Sequence, residues 1–138
     1  MLESRLYVSR SKLELAQSHE AVEAIVQVAQ VRNAALGVTG ALISTGSCFA
    51  QILEGAPAAV DQVMASICRD GRHFDVRVVS VLSIRRRRFG EWWMAYSGPS
   101  FYVNRHIKPL LEESVGELDT SIRSERLSAL MSEFTAPR

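Results

Sequence analysis

The sequence predicts an α+β fold, a mixed β-sheet in the order βαββαββ with two crossover helices on one face and two further helices at the C-terminus. Three observations predict it. Several short stretches alternate apolar and polar residues or run β-branched, as strands do. Two stretches between them repeat apolar residues at i, i+3, i+4 and i+7, as amphipathic helices do. After Gly98-Pro99 the strand pattern stops and helical periodicity continues to Phe134. Strand–helix–strand units arranged in this way are ferredoxin-like, with both crossovers covering the same face of the sheet.

The 138 residues suit one domain with a real core. The chain is 47% hydrophobic and 22% charged, ordinary values for a soluble globular protein. Its net charge of +1 gives no bulk attraction to nucleic acid or acidic membrane. Cys48 and Cys68 fall in apolar patterns without a metal spacing. They are expected to be buried free thiols in a reducing compartment. There is no signal-peptide core and no apolar run of membrane length, so the expectation is a cytoplasmic protein with neither nucleic acid nor membrane as partner.

Arg5 to Ser9 reads as a short opening strand with Tyr7 pointing opposite to Leu6 and Val8. Ser18 is a candidate N-cap, with Glu20 in the first turn. Val22, Ile25, Val26 and Ala29 form one helix face, and that face reaches Asn33, only about 20° from Val22 at about 100° per residue. Gly37 ends the helix. Val38 to Ser44 is a strand whose internal Gly40 marks a close approach to the backbone. Thr45-Gly46-Ser47 turns it into a hairpin with Cys48 to Glu54. Pro57 opens the second helix, striped by Val60, Val63, Met64 and Ile67. Asp70 to His73 forms a loop, Val76 to Ile84 a β-branched strand, Arg85 to Arg88 a basic turn and Trp92 to Tyr96 the last strand. Ile107 to Leu118 and Ser121 to Phe134 are expected helices that cover the free sheet face or a partner.

Chemistry at the level of single residues excludes much. His19, His73 and His106 are scattered and make no zinc motif, and no nucleophile elbow or phosphate loop is present. The four arginines from Arg85 to Arg88 read as a solvated turn between strands. Gln51 is different. It sits between Phe49 and Leu53 on a core strand, where an unpaired amide costs about 1–3 kcal/mol. With the first strand placed between the Cys48–Glu54 strand and the last strand, Tyr7 has Gln51 on one side and Trp92 or Met94 on the other. Asn33 projects into the same layer. None of these groups titrates near neutrality, which is a poor basis for hydrolysis. They suit a planar, uncharged heterocycle with matched hydrogen bonds and a flat apolar slot.

The motifs that carry these residues resemble one family. Leu6-Tyr7-Val8-Ser9, Arg32-Asn33 with Gly37-Val38-Thr39-Gly40, Phe49-Ala50-Gln51-Ile52-Leu53-Glu54-Gly55, Asp70-Gly71-Arg72-His73 and Ile84-Arg85-Arg86-Arg87-Arg88-Phe89 before Trp92-Trp93-Met94 stand in the order found in BLUF domains, blue-light sensors built on flavin. The resemblance runs from Leu6 to about Ala95. It implies a flavin (FAD, with FMN or riboflavin as alternatives) between the two crossover helices, hydrogen-bonded by Asn33 and Gln51. It further implies that Tyr7 bonds to Gln51 and gives an electron and a proton to the excited flavin. Recombination then leaves the flavin oxidised and the bonds around Gln51 rearranged, by amide rotation, tautomerisation or both. Met94 and Trp92 would read that change. Arg32 would approach the pyrimidine carbonyl, and Asp70, Arg72 and His73 the ribityl or phosphate region.

Two positions depart from the family. Ser66 stands where some members place an Arg or Lys against the flavin, and Trp93 stands where Ser is often found. The expected organisation is a flavin domain over residues 1–98 and a helical extension over 99–138 that packs on the sheet or on a partner. The expected function is a short stand-alone photoreceptor, not an enzyme, that signals to a separate protein or through self-association. The alternatives are a flavin-dependent reductase, an acylphosphatase-like hydrolase or a ferredoxin-like interaction module without chromophore.

Overall fold

The computed structural model describes residues 1–13, 18–90, 95–97, 101–112 and 117–134. Strand β1 spans Leu2–Ser11, helix α1 Ser18–Leu36, strands β2 Thr39–Ser44 and β3 Cys48–Gly55, and helix α2 Pro57–Cys68. Strand β4 (His73–Ile84) and the short β5 (Ala95–Ser97) complete a five-stranded sheet of order β4-β1-β3-β2-β5. The first four strands pair antiparallel, and β5 pairs parallel with β2, so the sheet is mixed as expected. Each crossover helix joins two parallel strands with a third strand inserted between them. The fold is the expected ferredoxin-like α+β arrangement.

Alternation along the strands divides the core into two layers. Tyr7, Leu42, Phe49 and Leu53 face Val22, Val26 and Ala29 of α1 and Val60, Val63, Met64 and Ile67 of α2. Leu6, Val8, Ala41, Ile43, Ala50 and Ile52 face the opposite way, where Ile107, Leu110, Leu111, Leu127 and Met131 cover them. The C-terminal segment therefore packs on the face that the crossover helices leave bare.

Two glycines act as the sequence indicates. Gly37 takes φ +68 and closes α1 with paired bonds, its own N–H to Ala34 O and that of Val38 to Asn33 O. At Gly40 a Cβ would run into Ile52 O of β3 and lie 3.1 Å from Ile52 C. The close approach is the neighbouring strand itself.

Four expectations need correction. The last strand does not flank Tyr7: β5 lies beside β2, and the second neighbour of β1 is β4, with Tyr7 opposite Val78. Periodicity assigns faces to a strand but not neighbours. The expected helix from Ile107 to Leu118 is broken, because Pro109 lacks an N–H and permits only a 3₁₀ turn over Lys108–Leu111 between α3 (Phe101–Ile107) and α4 (Glu117–Phe134). The opening strand extends to Leu2–Ser11, since both its edges are paired. Both cysteines are free, but Cys68 is exposed because it falls one residue past the buried stripe of α2.

Candidate functional site

A cleft opens between α1 and α2 above the centre of the sheet, with about 600 Å³ of empty space including its mouth. Its floor is made by Tyr7, Leu42, Phe49 and Gln51. One wall is the Ile25, Ala29 and Arg32 face of α1, and the other is the C-terminal end of α2 at Ser66 and Ile67. Asp70, Arg72 and His73 close the third side. Apolar side chains of both helices thus stand over a floor that carries the polar pair Tyr7 and Gln51.

Register sets the floor. Tyr7 and Gln51 are directly opposite across β1 and β3, and Leu42 of β2 lies on the other side of Gln51. The Tyr7 hydroxyl donates to Gln51 Oε1 at 2.5 Å, with both side chains buried. Burial pushes the Tyr7 phenol pKa upward, the charges of Asp70 and Cys68 add to that shift, and Arg32 opposes it. The phenol is therefore a neutral hydrogen-bond donor throughout the physiological range.

His73 has a use that the sequence does not reveal. Its Nε2 lies 2.8 Å from Ile67 O, an acceptor, so this nitrogen carries the proton. Its Nδ1 lies 2.8 Å from Ser9 Oγ, which donates to it in the neutral ring. The imidazole thus pins the end of α2 to β1 and presents edges to Tyr7 and Phe49, with ring centroids 6.1 and 6.0 Å away. A ring placed so supports the floor, and both its nitrogens are engaged within the protein.

Asp70 and Arg72 form a forked pair, Nε to Oδ1 at 2.8 Å and Nη2 to Oδ2 at 2.5 Å, and the Arg72 N–H also reaches Oδ1. The Arg72 bonds hold the Asp70 carboxyl below its ordinary pKa. Arg32 is half-buried at the α1 wall, and desolvation lowers its pKa. Its Nε donates to Asn33 Oδ1 at 3.1 Å. Asn33 itself is fully buried next to the cleft rather than on its surface. The structure therefore gathers Tyr7, Gln51, Arg32, Asp70, Arg72 and His73 at one cleft, with Asn33 directly behind. Trp92, Trp93 and Met94 lie outside the described residues.

Sequence reasoning missed Glu54. Its side chain is 1% exposed, on the sheet face opposite Gln51. Its Oε1 accepts from Thr39 Oγ1 and the Phe89 N–H, and its Oε2 from the Arg88 N–H at 2.7 Å. Arg87 adds bonds to Thr39 Oγ1 and Glu54 O. The basic turn is therefore only partly solvated, because its second half latches the end of β3. The signal was present: a charged residue on the Ala50–Ile52 face of an apolar strand calls for dedicated partners.

The cleft fits a flavin by its donor set. A flat tricyclic ring needs apolar faces, supplied by Ile25, Ala29 and Ile67, and hydrogen-bonding groups at a polar edge, supplied by Gln51 and Arg32. The profile of the BLUF family, sensors of blue light using FAD, matches residues 2–95. The chain belongs to the BLUF family. BlrB, a BLUF protein solved in its dark state, is 28% identical, with a TM-score of 0.72 over 94% of this chain and 96% of its own. The blue light- and temperature-regulated antirepressor BluF of Escherichia coli (strain K12) is 34% identical over 91 residues, 66% of this chain. A photoactivated adenylate cyclase subunit beta of Euglena longa is 32% identical over 103 residues, 75% of this chain. The chain spans only 22% and 12% of those two relatives. No described helix of this BLUF domain is long and apolar enough to cross a membrane.

Proposed function

We propose that this BLUF domain senses blue light through the Tyr7–Gln51 hydrogen bond and passes the change to a separate protein. The observation that carries the reading is the buried phenol–amide pair on the cleft floor, at 2.5 Å. A bound flavin would supply blue-light absorption and an excited state able to accept an electron from a nearby donor and give it back on recombination. Tyr7 is suited to be that donor: it is neutral, buried and already hydrogen-bonded to the amide that can relay its proton. Gln51 is suited to be the switch, since an amide offers an acceptor at one end and donors at the other. Turning it, or exchanging its tautomer, replaces the bond from Tyr7 with a different set. Arg32 and Asn33 would hold the ring edge, Asn33 from behind through the bond its Oδ1 accepts from Arg32 Nε, while Asp70 and Arg72 would form the rim toward the ribityl chain. Residues 1–98 serve as the flavin domain, and the C-terminal helices on the far face serve as the relay.

Magnitude limits how the signal can travel. One or two exchanged hydrogen bonds amount to about 0.5–1.5 kcal/mol each, which changes a population only several-fold. Packing must amplify it. The test is an absorption spectrum before and after blue illumination of purified, flavin-loaded protein. A small reversible red shift is expected. Tyr7→Phe and Gln51→Leu should each keep the flavin and lose the shift. A colourless protein from flavin-replete cells would sink the reading, and a normal photocycle in either variant would refute the role given to that residue.

A further inference from the structure

Strand β4 is the outer strand next to β1, and its outer backbone edge meets no other described strand. Soluble proteins usually guard such an edge with charge, proline or a covering element, because its unpaired N–H and C=O groups accept a further strand. From Ser80 to Ile84, beyond the Val79 carbonyl that Ser124 of α4 bonds, β4 carries neither charge nor proline. Ser80 to Ile84 pair residue for residue with Leu6 to Leu2, clear of the register shifts nearer the start of the strand. Within that regular run Val81 is 54% and Leu82 51% exposed, one on each face of the sheet.

The charge at the end of the run adds a second observation. Arg85 and Arg86 follow at once, exposed and without an ion-pair partner among the described residues. Arg87 and Arg88 are occupied, with Glu54 and Thr39 in one case and Glu125 in the other. Arg86 and Leu82 also line a groove that continues beneath α4 to Ser128. An open backbone edge, an apolar pair and a free basic end therefore lie in one line, about seven residues long.

We propose that this edge docks an extended acidic segment of a partner protein. The segment adds as a strand to β4, sets apolar side chains against Val81 and Leu82, and places carboxylates on Arg85 and Arg86. Backbone pairing supplies affinity and the alternate side chains supply specificity. A second copy of this chain suits the edge poorly, because antiparallel pairing of two such runs about Leu82 sets Val79 and Val78 of that copy, not carboxylates, opposite Arg85 and Arg86. Nucleic acid suits it poorly as well, because the edge offers valine and leucine rather than stacking rings beside its two free cations. The site is one strand from the photoactive floor, since Tyr7 is paired with Val78 of β4. The inference names the partner class for the sensor reading above and rests on it.

The test uses the flavin-loaded full chain in the dark and a synthetic peptide of alternating glutamate and valine carrying a red-emitting dye, read by fluorescence anisotropy. Saturable binding is expected, strengthened at low salt. Arg85→Glu with Arg86→Glu should weaken it about tenfold or more, and Val81→Lys should do the same. Far-UV circular dichroism verifies that the variants are folded. The proposal is overturned by no saturation up to about 1 mM peptide, by affinity unchanged in the variants, or by equal affinity for a lysine–valine peptide. Preference for single-stranded DNA over the acidic peptide overturns it too, as does self-association of the chain that Val81→Lys abolishes. Flavin absorption is read in the same samples, so failure of the photosensory reading and failure of this one are told apart.

Discussion

Gln51 and Glu54 sit three residues apart on β3 and on opposite faces of it, and between them they define what the strand does. Gln51 keeps an amide beneath the cleft with Tyr7 as its partner. Glu54 keeps a carboxylate in the other layer, holding the backbone of Arg88 and Phe89. Removing the carboxylate strands two backbone donors, that of Phe89 fully buried, and each orphan costs about 1–3 kcal/mol. Glu54→Ala should therefore lose about 2–4 kcal/mol in urea unfolding. Glu54→Gln, which keeps one acceptor oxygen but turns an NH₂ toward a donor, should fall between the two. A Glu54→Ala protein as stable as the parent would show that the latch is not a structural element. The latch also joins the strand that carries Gln51 to the turn preceding the Trp92–Met94 stretch, so Glu54→Gln is informative about relay as well as stability.

At the scale of elements, strand pairing depends on a backbone contact that only glycine permits. Gly40 of β2 faces Ile52 and Leu53 of β3, whose backbone atoms Ile52 C and Leu53 Cα would lie 3.1 and 3.4 Å from an added Cβ. Gly40→Ala has to push β2 from β3, at a cost of about 1–3 kcal/mol or more. It should lower the urea midpoint and weaken flavin uptake, because the displaced strand carries Leu42, which lies beside Gln51 on the cleft floor. Unchanged flavin affinity in a folded Gly40→Ala protein would contradict this account. The glycine was legible in the sequence as a close approach, and so were the helix stripes and the faces of the strands, because local period fixes where a side chain points. The Tyr7–Gln51 bond was legible through the family resemblance of the motifs that carry the two residues, since it depends on which strands are neighbours. Strand order was not legible, because β4 and the last strand are both apolar enough to lie beside β1. The path after Ile107 departs from the apolar spacing because Pro109 ends α3 there. The His73 clasp was hidden because its partners, Ser9 Oγ and Ile67 O, are respectively a common side chain and a backbone atom that no sequence pattern marks.

For the whole molecule, one sheet with two unlike faces separates sensing from packing. The α1 and α2 face holds the cleft. The other face is closed by the segment that ends in α4, whose Leu127 and Met131 are fully buried and whose Ser124 hydroxyl donates to Val79 O. Every strand residue points to one layer or the other, so a change at the cleft reaches α4 only through movement of the strands themselves. Removing buried side chains from the far layer should then cost stability without altering the cleft. Leu127→Ala and Met131→Ala are each expected to lose about 2–5 kcal/mol, read as a lower thermal midpoint. The dark absorption spectrum and flavin affinity should stay as in the parent, since Leu127 and Met131 belong to the core layer on the sheet face opposite the cleft. If α4 is the relay, the same variants keep the initial red shift while losing any light-dependent change in hydrogen exchange along α4. A changed dark spectrum in Leu127→Ala would mean that the two faces are coupled already in the resting state, and that the sheet is not the insulating layer its alternation describes.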